Sequence, residues 1–149
     1  MRREETVDFN IKATWHAIAR MYNQQATKHD ITTSIGFVLL NINSDEGTPA
    51  TKIAPLMGLE ARSLTRILKN MEERKLIYRE SDTVDKRSVR IYLTEEGKKK
   101  KEVAKEVVLT FNNTVRNKVS LVKLEVFFEV LNTINDLIEK NNMYNKLIV

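Results

Sequence analysis

A basic face on one short predicted helix carries the clearest chemical signal in this sequence. Arg62, Arg66 and Lys69 are spaced four and three residues apart between about Glu60 and Arg74. The same helix also carries apolar residues with the i, i+3, i+4, i+7 spacing of a buried stripe: Leu64, Ile67, Leu68 and Met71. One side of this helix is therefore expected to pack. The other favours an anionic partner, because arginine binds guanine edges and phosphates well.

A second helix is predicted just before this one, and a tight turn joins the two. Thr48 and Pro49 offer a capping hydroxyl and a proline at a tolerated position, so the preceding helix is expected to open there. Gly58 predicts its end. Pro55, inside it, predicts a kink or a shortening, since proline removes a backbone hydrogen bond.

Two short segments that follow alternate as strands do. Residues 77–80 and 89–93 flank the polar loop 82–87, which predicts a two-stranded ribbon with a charged tip. A helix fits a DNA major groove and a basic ribbon tip suits the minor groove. Residues 48–97 therefore predict a winged helix-turn-helix.

The wing segment also carries a specific resemblance. The string from Asp85 to Gly97, DKRSVRIYLTEEG, resembles the wing motif of MarR-family transcriptional regulators, in which Asp-x-Arg precedes a strand ending in Leu-Thr-x-x-Gly. Residues 59–68 are similar to the recognition helix of that family. Glu60 and Lys75 depart from it, standing where the family often has a capping Ser and a helix-ending Gly. A left-handed lysine would cost about 1 kcal/mol, so we expect a different helix end at Lys75.

The resemblance implies a mainly α fold with a small β-wing. It divides the single domain 1–149 into a winged helix-turn-helix region, 31–97, and dimerisation helices, 7–28 and 98–149. The implied protein is a homodimer that binds double-stranded DNA and responds to a small-molecule effector of unknown identity.

Roles for single residues follow from how such a helix enters DNA by its N-terminal end. We expect base contacts from Arg62, Ser63 and Arg66. Backbone phosphates are expected to be held by Thr65, Lys69 and Arg90. By the resemblance, Arg87 enters the minor groove. Asp85 is expected to pair with Arg79 or Arg87 and so fix the shape of the wing.

The first predicted helix carries a stripe made of Ile11, Trp15, Ile18 and Tyr22. The resemblance implies that it packs on the partner subunit, and ordinary core packing is the alternative. Trp15 and Tyr22 are also candidates for lining an effector cavity. His16 and His29 stand 13 residues apart without neighbouring cysteines, so no metal site and no cofactor are expected.

Charge and composition narrow the class of protein. The chain has 149 residues, no cysteine and a net charge of +5, and residues 48–100 hold 13 basic and 8 acidic residues. The excess therefore lies in the predicted DNA-binding segment. Thiol-based redox sensing is excluded. Catalytic motifs, membrane-length apolar runs and a signal-peptide core are not found, so we expect a cytoplasmic protein that is not an enzyme.

The helix after the wing is expected to be capped by Thr94. Lys98 to Lys101 on it either touch phosphate or are merely solvated, and the apolar residues 143–149 are expected to be buried, against a partner or the first helix.

The predicted function is sequence-specific transcriptional regulation by a homodimeric repressor on a pseudo-palindromic operator. The alternatives are a winged-helix protein-interaction module and a non-specific DNA-binding protein.

Overall fold

The computed structural model describes residues 1–140. In that range it contains a short 3-10 helix, Arg3–Glu5, and six α-helices: α1 (Val7–Lys28), α2 (Thr33–Leu40), α3 (Ala50–Met57), α4 (Ala61–Glu73), α5 (Glu95–Lys118) and α6 (Leu121–Lys140). Its three strands are β1 (Thr48–Pro49), β2 (Ile77–Ser81) and β3 (Val89–Leu93). The mainly α fold with a small β-wing is confirmed, and α1 has the predicted bounds.

The chain forms two compact units, Met1–Val108 and Leu109–Val149, and the division falls within α5. In the first unit α2 lies at the centre of the core, as expected, because Val38 and Leu39 are completely buried. The stripe of α4 packs on the same core through Leu64, Leu68 and Met71, while Ile67 is partly buried. Burial of this stripe fixes which side of α4 remains exposed.

The sheet is antiparallel with the strand order β1-β3-β2, so the predicted two-stranded ribbon has a third strand. Thr48 pairs with Ile91 in β3. The expectation that the Thr48 hydroxyl caps α3 is wrong, because its oxygen accepts from the Asn43 N–H at 2.9 Å. Helix α3 instead begins after Pro49, in the N-cap position.

Helix α3 is only eight residues long and remains helical across Pro55. Of the two effects predicted for this proline, the structure therefore shows a short helix. Gly58 ends it in the left-handed conformation, with φ of 62°. Lys75 adopts the same conformation after α4, with φ of 57°. The Leu76 N–H bonds Met71 O, and the Lys75 N–H bonds Glu72 O, both at 2.9 Å. This is a Schellman motif with lysine where glycine is usual; the expected different helix end is therefore not found.

The start of α5 is tied closely to the end of α4. Thr94 caps α5 as predicted, since its hydroxyl oxygen accepts from the Gly97 N–H at 3.0 Å. The same hydroxyl donates to Lys75 O at 2.7 Å, and the Thr94 N–H donates to Leu76 O at 3.1 Å. Gly97 lies so near Leu76 that an added Cβ would be 2.0 Å from its carbonyl oxygen.

Two lysines of α5 cap other helices. Lys100 Nζ donates to His29 O, just past the end of α1, at 2.7 Å. Lys101 Nζ donates to Ile42 O, just past the end of α2. A cation at a helix C-terminus is favourable. These two side chains therefore form hydrogen bonds within the fold, a role that differs from the phosphate contact and the simple solvation that the sequence suggested.

Helix α6 carries a broad apolar arc on one side. Within the described part of the second unit, only Leu124 is buried. Large exposed side chains lie along the rest of this apolar arc, among them Val126, Phe127, Val130, Leu137 and Ile138. The predicted burial of residues 143–149 concerns residues outside the described range. No helix within residues 1–140 is both long enough and apolar enough to cross a membrane.

Candidate nucleic-acid interface

The exposed side of α4 is basic. Arg62, Arg66 and Lys69 are all exposed, and at 3.6 residues per turn they fall within one sector opposite Leu64 and Met71. None of the three side chains forms an ion pair or hydrogen bond with other residues of the range 1–140. Their charges therefore remain available to an anionic partner.

Two residues with hydroxyl groups, Ser63 and Thr65, lie near the start of α4. Ser63 is exposed, and its backbone N–H donates to Glu60 O at 3.1 Å. The Thr65 hydroxyl donates to Ala61 O at 2.9 Å. Because a hydroxyl has only one proton, Thr65 in this rotamer has none left for a phosphate oxygen. The arrangement weighs against the predicted phosphate contact of Thr65.

The wing tip is shaped by aspartate side chains that accept backbone hydrogen bonds. The Asp85 carboxylate accepts from the Arg87 N–H at 3.0 Å, so Asp85 does act on the shape of the wing, and through the backbone of Arg87. The Arg87 side chain is exposed and has no bonded partner in the part of the chain that is described. It is thus free to meet a ligand.

The predicted pairing of Asp85 with Arg79 is wrong. Arg79 Nε donates to Glu72 at 2.7 Å and so ties β2 to the last turn of α4. Arg79 follows Leu76 and Ile77, which pack in the core, and this short connection keeps its side chain beside α4. The packing of the strand on the helix therefore selects Glu72 as the partner of Arg79.

Arg90 is held inside the wing, contrary to its predicted role at a phosphate. Its Nε donates to Asp82 Oδ2 at 3.1 Å, and its Nη1 donates to Glu46 O at 3.1 Å and to Gly47 O at 3.4 Å. Pairing of β1 with β3 brings the loop before β1 beside Arg90. The guanidinium therefore has its partners within the chain.

Asp82 is the carboxylate that sequence reasoning missed. It is buried, with 7% of its surface exposed. Its Oδ1 accepts from the backbone N–H groups of Val84, at 2.9 Å, and Asp85, at 3.3 Å. These hydrogen bonds, more than the nearby Arg90 charge, lower the pKa of Asp82 below its ordinary value. The only available signal was an aspartate at the point where a strand enters a polar loop.

A cavity opens in the first unit between α1, α2 and the first half of α5. The empty space at this site, including the part that is open to solvent, is about 370 Å³. Its apolar wall includes Tyr22, Phe37, Val103 and Val107, and its polar groups come from Gln25, His29, Thr32 and Thr33. Burial raises the pKa of the Tyr22 hydroxyl, which therefore stays protonated at neutral pH.

Of the two residues predicted to line an effector cavity, one lines the cavity described here, and its use by an effector stays a prediction. Tyr22 lines it and packs edge-on against Phe37, with ring centroids 5.7 Å apart. Trp15 is 54% exposed and lies outside the lining formed by the described residues. The cavity forms only near the C-terminal end of α1, and Trp15 lies two turns before Tyr22.

Known proteins resemble both the sequence and the fold. The sequence model of the MarR family matches residues 31–89. The HTH-type transcriptional regulator SarZ of Staphylococcus aureus is 27% identical over 128 residues, which are 86% of this chain and 83% of that protein. The HTH-type transcriptional regulator TtmR of Methylorubrum extorquens is 32% identical over 90 residues, 60% of this chain and 46% of that protein. The chain thus spans less than half of TtmR.

Two solved structures have the same fold. The MepR–DNA complex of S. aureus superimposes with a TM-score of 0.80 at 24% identity, covering 88% of this chain and 97% of that one. The regulator PcaV from Streptomyces coelicolor, in complex with its natural ligand, gives 0.78 at 16% identity and covers 93% and 98%. The MarR family model thus matches the segment that holds α2, α3 and α4, and the two solved structures show that this chain has the same fold as MepR and PcaV.

Proposed function

We propose that this protein is a sequence-specific DNA-binding repressor that acts as a homodimer on a pseudo-palindromic operator. The observation that carries the proposal is the basic face of α4, formed by Arg62, Arg66 and Lys69, on the side opposite its core stripe. A partner rich in phosphate fits this face and the exposed Arg87. The location we propose is cytoplasmic.

The proposed contacts follow the exposure of each side chain. Arg62, Ser63 and Arg66 read bases, since they lie in the first half of α4, which enters the groove first. Lys69 holds a phosphate, and Arg87 enters the minor groove. We leave Thr65 and Arg90 out of the phosphate contacts because their donors already bond within the chain.

A homodimer gives the exposed arc of α6 a partner. An apolar surface of this extent is unusual on a monomer and typical of subunit interfaces. A two-fold dimer carries two copies of α4, which would read half-sites about one helical turn apart. The fold likeness to MepR in its DNA complex is consistent with this use of the fold.

A small-molecule effector is proposed to occupy the cavity beside Tyr22. Fold relatives have been solved with ligands, PcaV with its natural ligand and CouR with p-coumaroyl-CoA. A ligand that binds one arrangement of the recognition helices more tightly than another shifts the population toward it. Repression would end when the favoured arrangement no longer matches the operator.

The first test is fluorescence anisotropy of the purified full chain with two labelled duplexes, at several salt concentrations. One duplex is the DNA upstream of its own gene, and the other is a scrambled sequence of equal composition. We expect the native duplex to bind about 10³-fold more tightly or better, with an affinity that falls steeply as salt rises. Equal, salt-sensitive binding to both would favour a non-specific DNA-binding protein. Absence of binding at low salt would favour a protein-interaction module.

Two variants separate base reading from general attraction. Arg87→Ala should weaken binding to every duplex, whereas Arg62→Ala should also relax the preference at one base position, at a cost of about 1–3 kcal/mol. Binding to a panel of duplexes with single substitutions measures the difference. Equal losses across the whole panel for both variants would contradict the proposed division of roles.

A further inference from the structure

A chain of hydrogen bonds connects the base of the wing with its tip. Asp82 Oδ1 accepts from the Asp85 N–H, and Asp85 Oδ1 in turn accepts from the Arg87 N–H. The Asp82 N–H donates to Ser88 O at 2.9 Å, which closes the loop. The backbone of Arg87 is therefore linked to the buried carboxylate of Asp82 through two hydrogen bonds, with Asp85 between them.

That carboxylate is fixed from the other side by Arg90. The guanidinium joins Asp82 to the carbonyl oxygens of Glu46 and Gly47, in the loop before β1. This loop leads through β1 into α3, the first helix of the helix-turn-helix. Arg90 therefore connects the wing tip, through Asp82, to the segment that carries the DNA-reading helices.

From this network we propose that Asp82 and Arg90 are positioning residues, which hold the wing so that Arg87 is presented to DNA without touching DNA themselves. The inference rests on the proposed function, because it concerns how the same interface is kept in shape. It also assigns the positive charge of Arg90 to the wing rather than to a phosphate. Loss of either residue should leave the charge of Arg87 in place but make the loop that holds its backbone more mobile.

The direction in which one substitution changes the DNA affinity distinguishes this positioning role from a purely electrostatic effect. Asp82→Asn removes a negative charge near the wing at almost constant size, so attraction to phosphates alone predicts equal or tighter DNA binding. Loss of positioning predicts weaker binding, by about three- to tenfold, because part of the Arg87 contact is lost. Anisotropy with the operator duplex measures which sign holds.

Glu80→Gln is the matched control. Glu80 lies opposite Arg90 in the strand register and is exposed, and its side chain has no hydrogen bond or ion pair among the residues described. The substitution removes the same charge from the same ribbon, and it should not weaken binding. In an Arg87→Ala background, Asp82→Asn should have no further effect, since it acts through Arg87.

A second measurement needs no DNA. The natural chain has no cysteine, and Val84 in the wing loop is 93% exposed, so Val84→Cys accepts a single nitroxide label. Electron paramagnetic resonance then reports the mobility of the wing loop. We expect both Asp82→Asn and Arg90→Gln to increase the mobility of the label and Glu80→Gln to leave it unchanged, while circular dichroism confirms that each variant is folded.

The two measurements keep the inference separate from the proposed function. If the unsubstituted protein does not prefer the operator, the proposed function fails, and the label still decides whether Asp82 holds the loop. Unchanged mobility in Asp82→Asn and Arg90→Gln would overturn the inference. So would unchanged or tighter operator binding by a folded Asp82→Asn protein that retains the sensitivity to Arg87→Ala.

Discussion

Two neighbouring helices end in the same left-handed conformation, on different residues. Gly58 closes α3 with φ of 62° and Lys75 closes α4 with φ of 57°. Glycine adopts this conformation without steric cost, whereas the Cβ of lysine meets its own carbonyl oxygen. The chain tolerates the strain at Lys75 because the Schellman bonds and the bonds to Thr94 determine the backbone there.

Lys75→Gly should therefore stabilise the protein, by up to about 1 kcal/mol. The gain comes from relief of backbone strain, partly offset by the greater freedom of glycine in the unfolded chain. Urea unfolding followed by circular dichroism measures it. Gly58→Ala is the converse control, because an added Cβ there has nothing within 4 Å and only the backbone conformation is penalised. A loss of stability in Lys75→Gly would contradict this explanation.

At this scale, sequence reasoning succeeded where spacing alone decides the outcome. Periodicity predicted that Leu64, Leu68 and Met71 are buried, so the exposure of Arg62 and Arg66 followed. The partners of charged groups could not be predicted in the same way. Arg90 reaches Glu46, 44 residues away in sequence, a contact that depends on how β1 pairs with β3. Hydrogen bonds of this kind join residues that are far apart in sequence, so a local sequence pattern could not predict them.

Among the elements, α4 and α5 are joined by close backbone contacts and hydrogen bonds. Leu76 and Gly97 meet backbone to backbone, and the wing lies between them in sequence. The helix that leads out of the DNA-binding region is thereby fixed to the end of the recognition helix. Two residues of the wing motif that resembles the MarR family, Thr94 and Gly97, therefore have a structural role in this chain: they hold the start of α5 against the end of α4.

Gly97→Ala should destabilise the fold by about 2–4 kcal/mol, because the new methyl group would overlap Leu76 O and backbone would have to move. Gly36→Ala offers a matched control inside α2. Its Cβ would meet Ala104 and Ile31 at 3.7 and 3.8 Å, which is ordinary contact. The control should be neutral or slightly stabilising, by about 0.5–1 kcal/mol. Thermal unfolding of both variants checks the contrast, which equal midpoints would contradict.

Element boundaries were predictable to within about a residue wherever a cap or an alternating pattern was strong. Strand β1 was missed because two residues carry no periodic signal, and Thr-Pro equally suits a helix start. Its existence depends on pairing with β3, which no local pattern reveals. The cavity was likewise only half predicted: Tyr22 lies where three helices meet, and Trp15 does not.

At the scale of the whole molecule, the exposed arc of α6 is the surface on which the proposed second subunit would pack. Val130 and Phe127 are each about half exposed, with values of 50% and 52%, although both belong to a predominantly apolar arc. Leaving such side chains in water is unfavourable compared with burying them in an interface. The proposed dimer removes that cost, and it also supplies the second reading helix.

Val130→Glu should therefore produce a monomer, because a carboxylate in the middle of an apolar interface would be desolvated without a partner. Sedimentation velocity measures the mass, and operator affinity should fall by about a hundredfold once the two reading helices act independently. Glu129→Gln, on the polar side of α6, serves as the control and should remain a dimer. A Val130→Glu protein with unchanged mass would exclude α6 from the interface.

The lysine caps of α5 have a consequence for how the chain folds during synthesis. Lys100 and Lys101 reach back over 71 and 59 residues to the ends of α1 and α2. Those two helices emerge from the ribosome early, yet their C-terminal carbonyl groups gain these partners only after residue 101 has been made. Contacts of such long range form late in folding. The ends of α1 and α2 therefore gain these two partners only when the winged segment has been made and α5 has begun.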